Sequence, residues 1–173
     1  MQATPASNLE RVTLTSGFWS YHTSNRSRYN EDNPGIGVEA AVNTNWTIAA
    51  GNYRNSVERS STYLQAMWTP DVARTQLGGV RLSAGVAVGL VTGHPELRNG
   101  DAFPTLLPVA TMSVGPVGLN LTYIPSVAGR ADGAVALQFR TARSRCSSGR
   151  RGRAAVQVPA RPLGRSPVRP LGR

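Results

Sequence analysis

The sequence predicts an all-β fold, an eight-stranded antiparallel up-and-down membrane β-barrel followed by a disordered Arg/Pro-rich C-terminal tail. Three features carry that expectation. Apolar residues recur at every second position along several segments, prolines interrupt the one stretch long enough for a membrane helix, and the positions between the apolar ones are small or polar rather than charged. The chain then divides into a short N-terminal segment over 1–11, the barrel over 12–140 and the tail over 141–173.

The clearest strand runs from Val80 to Val91. Val80, Leu82, Ala84, Val86, Val88 and Leu90 alternate with Arg81, Ser83, Gly85, Ala87 and Gly89. A period of two over about eleven residues is what a tilted strand needs to cross a bilayer. A helix would have to carry Gly85 and Gly89 in its interior at about 1 kcal/mol each. The same alternation recurs at Ile36, Val38, Ala40 and Val42, and, after an Asn43-Thr44-Asn45 turn, at Trp46, Ile48 and Ala50. Further along it appears at Val117, Leu119, Leu121 and Tyr123, and at Val135, Leu137 and Phe139.

The uncharged stretch Ala102–Gly129 has the length of a membrane helix, but Pro104, Pro108, Pro116 and Pro125 exclude one, since interior proline costs about 3 kcal/mol. Gly115-Pro116 marks a turn between two strands instead. Segments near 12–22 and 60–68 bring the count to about eight, the smallest common size for an outer-membrane barrel. Trp19, Tyr21, Trp46, Trp68 and Tyr123 fall near strand ends, where interfacial girdles lie. A soluble sandwich or lipocalin-like barrel would bury its large apolar residues and turn charges outward. The non-apolar face here carries Gly, Ala, Ser, Thr and Asn with few charges, which suits a packed lumen inside and lipid outside. The bacterial outer membrane is the expected location.

The net charge of +10 is a property of the tail. Residues 1–139 hold nine Arg and nine acidic residues, whereas 140–173 hold ten Arg and no acid. Every cation is Arg, without the Lys that usually shares a nucleic-acid face, so no nucleic-acid partner is expected. The tail lacks the apolar content to fold, and its Arg-Pro-Leu-Gly-Arg ending reads as GC-rich sequence in a shifted frame. Cys146 is the sole cysteine and His22 and His94 the sole histidines, so no disulfide within the chain, no metal site and no cofactor are expected. Met1-Gln2-Ala3-Thr4-Pro5 has neither a basic nor an apolar region of a secretory signal, so an export signal is expected to have been removed or to lie elsewhere.

Several ordered pieces resemble the lipid A palmitoyltransferase (PagP) family. These are Arg28-Tyr29-Asn30-Glu31 with Pro34-Gly35, Trp68-Thr69-Pro70, Ala84-Gly85-Val86, Pro104 with Leu106-Leu107-Pro108, Gly115-Pro116-Val117, Thr122-Tyr123-Ile124-Pro125 and Gln138-Phe139. Together they span about two-thirds of the chain in the family's order. The resemblance implies a monomeric barrel whose lumen holds one acyl chain of a phospholipid and which transfers that chain to lipid A. It also implies lateral gates at Pro108 and Pro125, where proline removes ladder hydrogen bonds.

The family's catalytic residues are carried over less evenly. Tyr53-Arg54-Asn55-Ser56 is similar to the segment with the family's adjacent Asp and Ser, so Ser56 matches the serine while Asn55 stands at the acid. The family's histidine position falls on Ser16, and the nearby imidazole is His22. Acyl transfer needs a hydroxyl, a base to take its proton and donors for the oxyanion. The implied catalytic set is therefore His22, Asn55 and Ser56, with Asn55 orienting the imidazole or donating to the oxyanion. The family's N-terminal helix is reduced to a few residues around Pro5–Glu10, and its acyl-length-setting glycine falls on Tyr63. The competing expectation is a non-enzymatic barrel that is structural or lipid-binding, in which these are ordinary loop residues.

Overall fold

Alternating segments that cannot bury an apolar face alone pair edge to edge until no edge remains. In the computed structural model, which describes residues 11–24, 26–127 and 132–142, nine antiparallel strands do this. They are β1 (Arg11–His22), β2 (Asp32–Ala41), β3 (Trp46–Arg54), β4 (Ser60–Trp68), β5 (Arg74–Leu77), β6 (Val80–Val91), β7 (Phe103–Val114), β8 (Val117–Ile124) and β9 (Ala134–Ala142). Each pairs with its neighbour in sequence except β4 and β5, which both pair with β6, and β9 closes the sheet on β1 from Thr13↔Ala142 to His22↔Ala134. The final strand reaches Ala142, just beyond the expected barrel boundary. The expected N-terminal segment up to 10 and the tail from 143 lie outside the described residues.

Nine strands make eight staves. β4 pairs with the upper part of β6, from Tyr63↔Val91 to Trp68↔Val86, and β5 pairs with the lower part, from Arg74↔Ser83 to Leu77↔Val80. β4 and β5 are thus one stave, interrupted at Thr69-Pro70 and a single 3-10 turn over Asp71–Ala73. Arg74 holds the break by donating to the carbonyls of Thr44 and Thr69. The β2–β3 turn is an Asx turn, with Asn43 Oδ1 accepting from the Asn45 and Trp46 N–H groups at 2.8 and 2.9 Å.

The aliphatic face of every stave points out. Leu14, Ile36, Val38, Ile48, Leu64, Val88, Leu90, Leu106, Leu121 and Phe139 are exposed, whereas Thr13, Thr15, Asn33, Glu39, Ser61, Asn120 and Gln138 are buried. That inversion of a soluble protein is stable only when lipid covers the outside. Exposed Trp19, Tyr21 and Tyr123 ring one end of the belt; Trp46 and Trp68, directly opposed across β3 and β4, mark the other. Short turns lie at the Trp46 end, and the longer connections 23–31, 55–59, 92–102 and 125–133 lie at the Tyr21 end. The long-loop end is the outer end in barrels of this type.

β1 contains the irregularity that matters most for the site. Its register slips between Ser16 and Phe18, so Thr13 and Thr15 point inward before the slip, and Ser20 and His22 after it. Gly17 sits at the slip because a Cβ there would strike the backbone of Asn33 and Gly35.

Candidate functional site

The outer half of the lumen is a chamber of about 380 Å³, in the size range of small-molecule sites. Its wall is largely aromatic. Phe18 meets Tyr53 edge-on at 5.0 Å between ring centroids and Tyr63 at 6.0 Å, and His94 meets Phe103 at 5.8 Å. Tyr63 forms the floor, lying across the lumen over Gly37 and Gly51, where any Cβ would collide with its ring or hydroxyl. Its hydroxyl lies 3.5 Å from Thr15 Oγ1 and accepts from Gln138 Nε2 at 3.4 Å.

Beneath Tyr63 a polar layer closes the barrel. Glu39 meets Arg140 at 2.8 Å, Asn120 Nδ2 donates to Glu39 Oε1 at 2.6 Å, and Thr111 donates to Asn120 Oδ1 at 3.0 Å. Below it a second, more polar cavity of about 580 Å³ faces the short-turn end, lined by Arg74, Arg81 and several hydroxyls. The chamber is therefore a dead end reached from outside.

It also reaches the barrel's flank. β7 pairs with β6 along its whole length, down to Val91↔Phe103, but with β8 only from Val109↔Thr122 to Val114↔Val117. Among the described residues no β7–β8 ladder pair extends to Phe103–Pro108. Pro104 and Leu106 point outward, Leu106 with 65% of its surface exposed, yet both help line the chamber with Ile124 and Pro125. The chamber is thus lined from both faces of this strand. Pro108 stands where the β7–β8 ladder stops and Pro125 just past the end of β8, and neither has an N–H to continue it.

His22, Asn55 and Ser56 all line this chamber. The slip in β1 turns His22 inward, leaving it 5% exposed, with its ring stacked on Tyr29 at 4.3 Å and 12°. Asn55 is 1% exposed and fully committed: Nδ2 donates to Ser61 Oγ at 2.9 Å and the Gly93 carbonyl at 2.8 Å, and Oδ1 accepts from the Val57 and Arg59 N–H groups. Its geometry builds the β3–β4 turn and presents Ser56. The Ser56 carbonyl accepts from the Asn30 N–H at 2.9 Å, which ties this turn to the β1–β2 loop.

Tyr29, His94 and Asp132 also line the chamber and were not singled out by sequence reasoning. They lie on loops, where no periodicity points to a face; the Arg28-Tyr29-Asn30-Glu31 piece was the only signal for Tyr29. Burial pushes the His94 imidazole below its usual pKa, and Glu96 works weakly against that shift. Partial burial, the carboxylates of Asp132 and Glu96 and a hydrogen bond to Asp132 raise the Tyr29 phenol, while Arg28 acts in the opposite sense. Among the described residues no group of three or more His, Cys, Asp or Glu side chains could hold a metal ion.

No protein-family profile and no curated protein matches the sequence. Solved structures do. A de novo designed transmembrane β-barrel is 14% identical, covers 83% of this chain and all of its own, and superposes with a TM-score of 0.53. The N-terminal β-barrel domain of Pseudomonas aeruginosa OprF is 15% identical over 77% of this chain and 97% of that one, with a TM-score of 0.39. Neisserial surface protein A is 13% identical over 76% and 94%, with a TM-score of 0.37. The likeness is one of fold: the chain is a closed, eight-staved antiparallel transmembrane β-barrel of the outer-membrane type.

Proposed function

We propose that this barrel resides in the bacterial outer membrane, admits one acyl chain of a phospholipid through the flank between β7 and β8, and transfers it to lipid A. The observation that carries this reading is the blind, aromatic-lined chamber at the outer end, lined also by Pro104 and Leu106 on the barrel's flank where the β7–β8 ladder has stopped. A pore would run through the barrel, and a purely structural barrel has no use for an apolar recess facing lipid. The acyl-transfer step and its two substrates come from the resemblance to the lipid A palmitoyltransferases, and Pro108 and Pro125 at the end of the β7–β8 ladder support a gate there.

In the proposed reaction His22 takes the Ser56 hydroxyl proton while Ser56 Oγ attacks the donor ester carbonyl. The ester C–O bond breaks, and the proton passes from His22 to the leaving lysophospholipid oxygen. A lipid A hydroxyl then gives its proton to His22 and attacks the acyl-Ser56 ester, and the proton returns to Ser56 Oγ. Atoms and charge balance over the two halves. Tyr63 at the floor sets how deep the chain can reach.

A second reading, a lipid-binding barrel without catalysis, is favoured by one observation. Asn55 stands where the family has an acid, and its amide has no donor or acceptor to spare. Mass spectrometry of lipid A separates the two. Cells expressing the protein are expected to show lipid A heavier by one acyl group, Ser56→Ala to abolish the added mass, and Tyr63→Ala to lengthen the added chain. Unchanged lipid A with wild-type protein folded in the membrane leaves the binding reading in place of the enzyme.

A further inference from the structure

The second cavity, of about 580 Å³ at the short-turn end, is lined by three guanidinium groups, Arg74, Arg81 and Arg140, and by one carboxylate, Glu39. Strand register explains why the cations converge. Gln76, Arg81, Ser113, Gly118 and Arg140 are direct partners across β5 to β9, and all five line the cavity. Arg81 and Arg140 are thus three strand spacings of about 4.8 Å apart, with only Ser113 and Gly118 between them. Both lean over that gap. Arg81 Nε donates to Ser113 Oγ at 3.5 Å, and the Arg140 stem lies over Gly118, where an added Cβ would come within 3.1 Å of its Cγ. The next inward row sets Arg74, Ser83 and Thr111 side by side on β5, β6 and β7.

The charges in this cavity do not balance. Glu39 is taken by Arg140 at 2.8 Å, and Arg74 has Asp71 at 3.9 Å, on an exposed turn. Arg81 bonds neutral acceptors, Ser113 Oγ and the Gly115 carbonyl at 3.1 Å, and has no ion pair among the described residues. Excess positive charge in a low-dielectric enclosure draws an anion. We infer that this cavity is a phosphate-binding site: Arg81 supplies a planar fork of donors, Arg74 a second charge, and Ser83 and Ser113 hydroxyls beside them. Arginine forks match phosphate oxygens in pairs. Donors arriving from three strands suit a tetrahedral phosphate better than a planar carboxylate. Two sources share this chemistry. Free phosphate enters through the short-turn mouth. A phospholipid headgroup enters at the break between β4 and β5, which Arg74 holds just past the Trp46–Trp68 pair at the edge of the belt. The polar layer separates this site from His22 and Ser56, so it stands apart from the acyl-transfer reading.

The test uses the full chain refolded into a non-ionic, phosphate-free detergent, with the guanidinium NMR signals of Arg81 and Arg74 assigned by their loss in Arg81→Gln and Arg74→Gln. One arm titrates inorganic phosphate at constant ionic strength, and the other titrates dihexanoyl phosphatidylglycerol. The Arg81 and Arg74 signals are expected to move and saturate, while those of Arg54, paired with Glu58 at the opposite end, stay in place. Followed at Arg74, Arg81→Gln is expected to weaken binding by about tenfold or more, as loss of hydrogen bonds from a charged group does. Arg81→Lys, which keeps the charge and loses the fork, should fall between the two. Because Arg81 is exposed, these variants are expected to refold like the wild type, which heat-modifiable gel mobility checks. Saturation by inorganic phosphate assigns a free anion as ligand; saturation by the lipid alone assigns a headgroup. No saturable response in either arm, the same response to sodium chloride, or wild-type binding by Arg81→Gln would overturn the inference.

Discussion

Glu39 and Arg140 show what a single residue pair contributes when it is enclosed in the barrel. Glu39 is 2% exposed, meets Arg140 at 2.8 Å and accepts from Asn120 at 2.6 Å. Removing one member of a buried pair strands the other charge, which costs about 3–5 kcal/mol, whereas removing both together is often close to neutral. Glu39→Gln and Arg140→Gln are each expected to lower the stability of the refolded barrel by that amount in urea titrations, and the double variant by much less than the sum. Additive losses would show that the pair does not act as a unit. None of this was legible in the sequence. Glu39 reads as one polar position in an alternating segment, and Arg140 as the last residue of the expected barrel and the first of the ten Arg over 140–173. Their pairing depends on closure of β9 onto β1, a relation between residues far apart in the chain.

At the level of elements, the strands were legible because alternation is local, and the places where alternation stops were not. Val80–Val91 alternates throughout and is β6 from end to end. β5, four exposed residues at Arg74–Leu77, has too little pattern to be seen, although it supplies the lower part of one stave. The slip in β1 was equally hidden. Strict alternation from Val12 onward would put His22 on the same lipid-facing side as Leu14, and only the irregularity at Gly17 turns it into the lumen. Gly17→Val places a side chain against the backbone of Asn33 and Gly35. It is expected to destabilise the barrel by about 1–3 kcal/mol or more and to loosen His22 from the chamber. Heat-modifiable gel mobility with a lowered transition midpoint checks the first effect. Wild-type melting would mean that the slip does not depend on the close approach at Gly17.

Over the whole molecule the features form one arrangement: an apolar belt facing lipid, a polar layer sealing the lumen, and above it a chamber that faces outward and is lined in part by residues on the flank of β7. The belt and the girdles could be read from the sequence, since they follow from side-chain period and aromatic placement. The chamber could not. It exists because Phe18, Tyr53, Tyr63 and Phe103 converge from four strands and because the β7–β8 ladder stops at Val109. The central claim is that a lipid acyl chain occupies this space. The most direct measurement is intermolecular NOE transfer from the acyl methylenes of a protonated detergent to the refolded, deuterated barrel with protonated Phe and Tyr rings. Cross-peaks to the Phe18 and Tyr63 rings, together with those to outward-facing Phe139, are the predicted result. Contacts at Phe139 with none at Phe18 or Tyr63 would contradict it, leaving a barrel whose chamber takes no lipid.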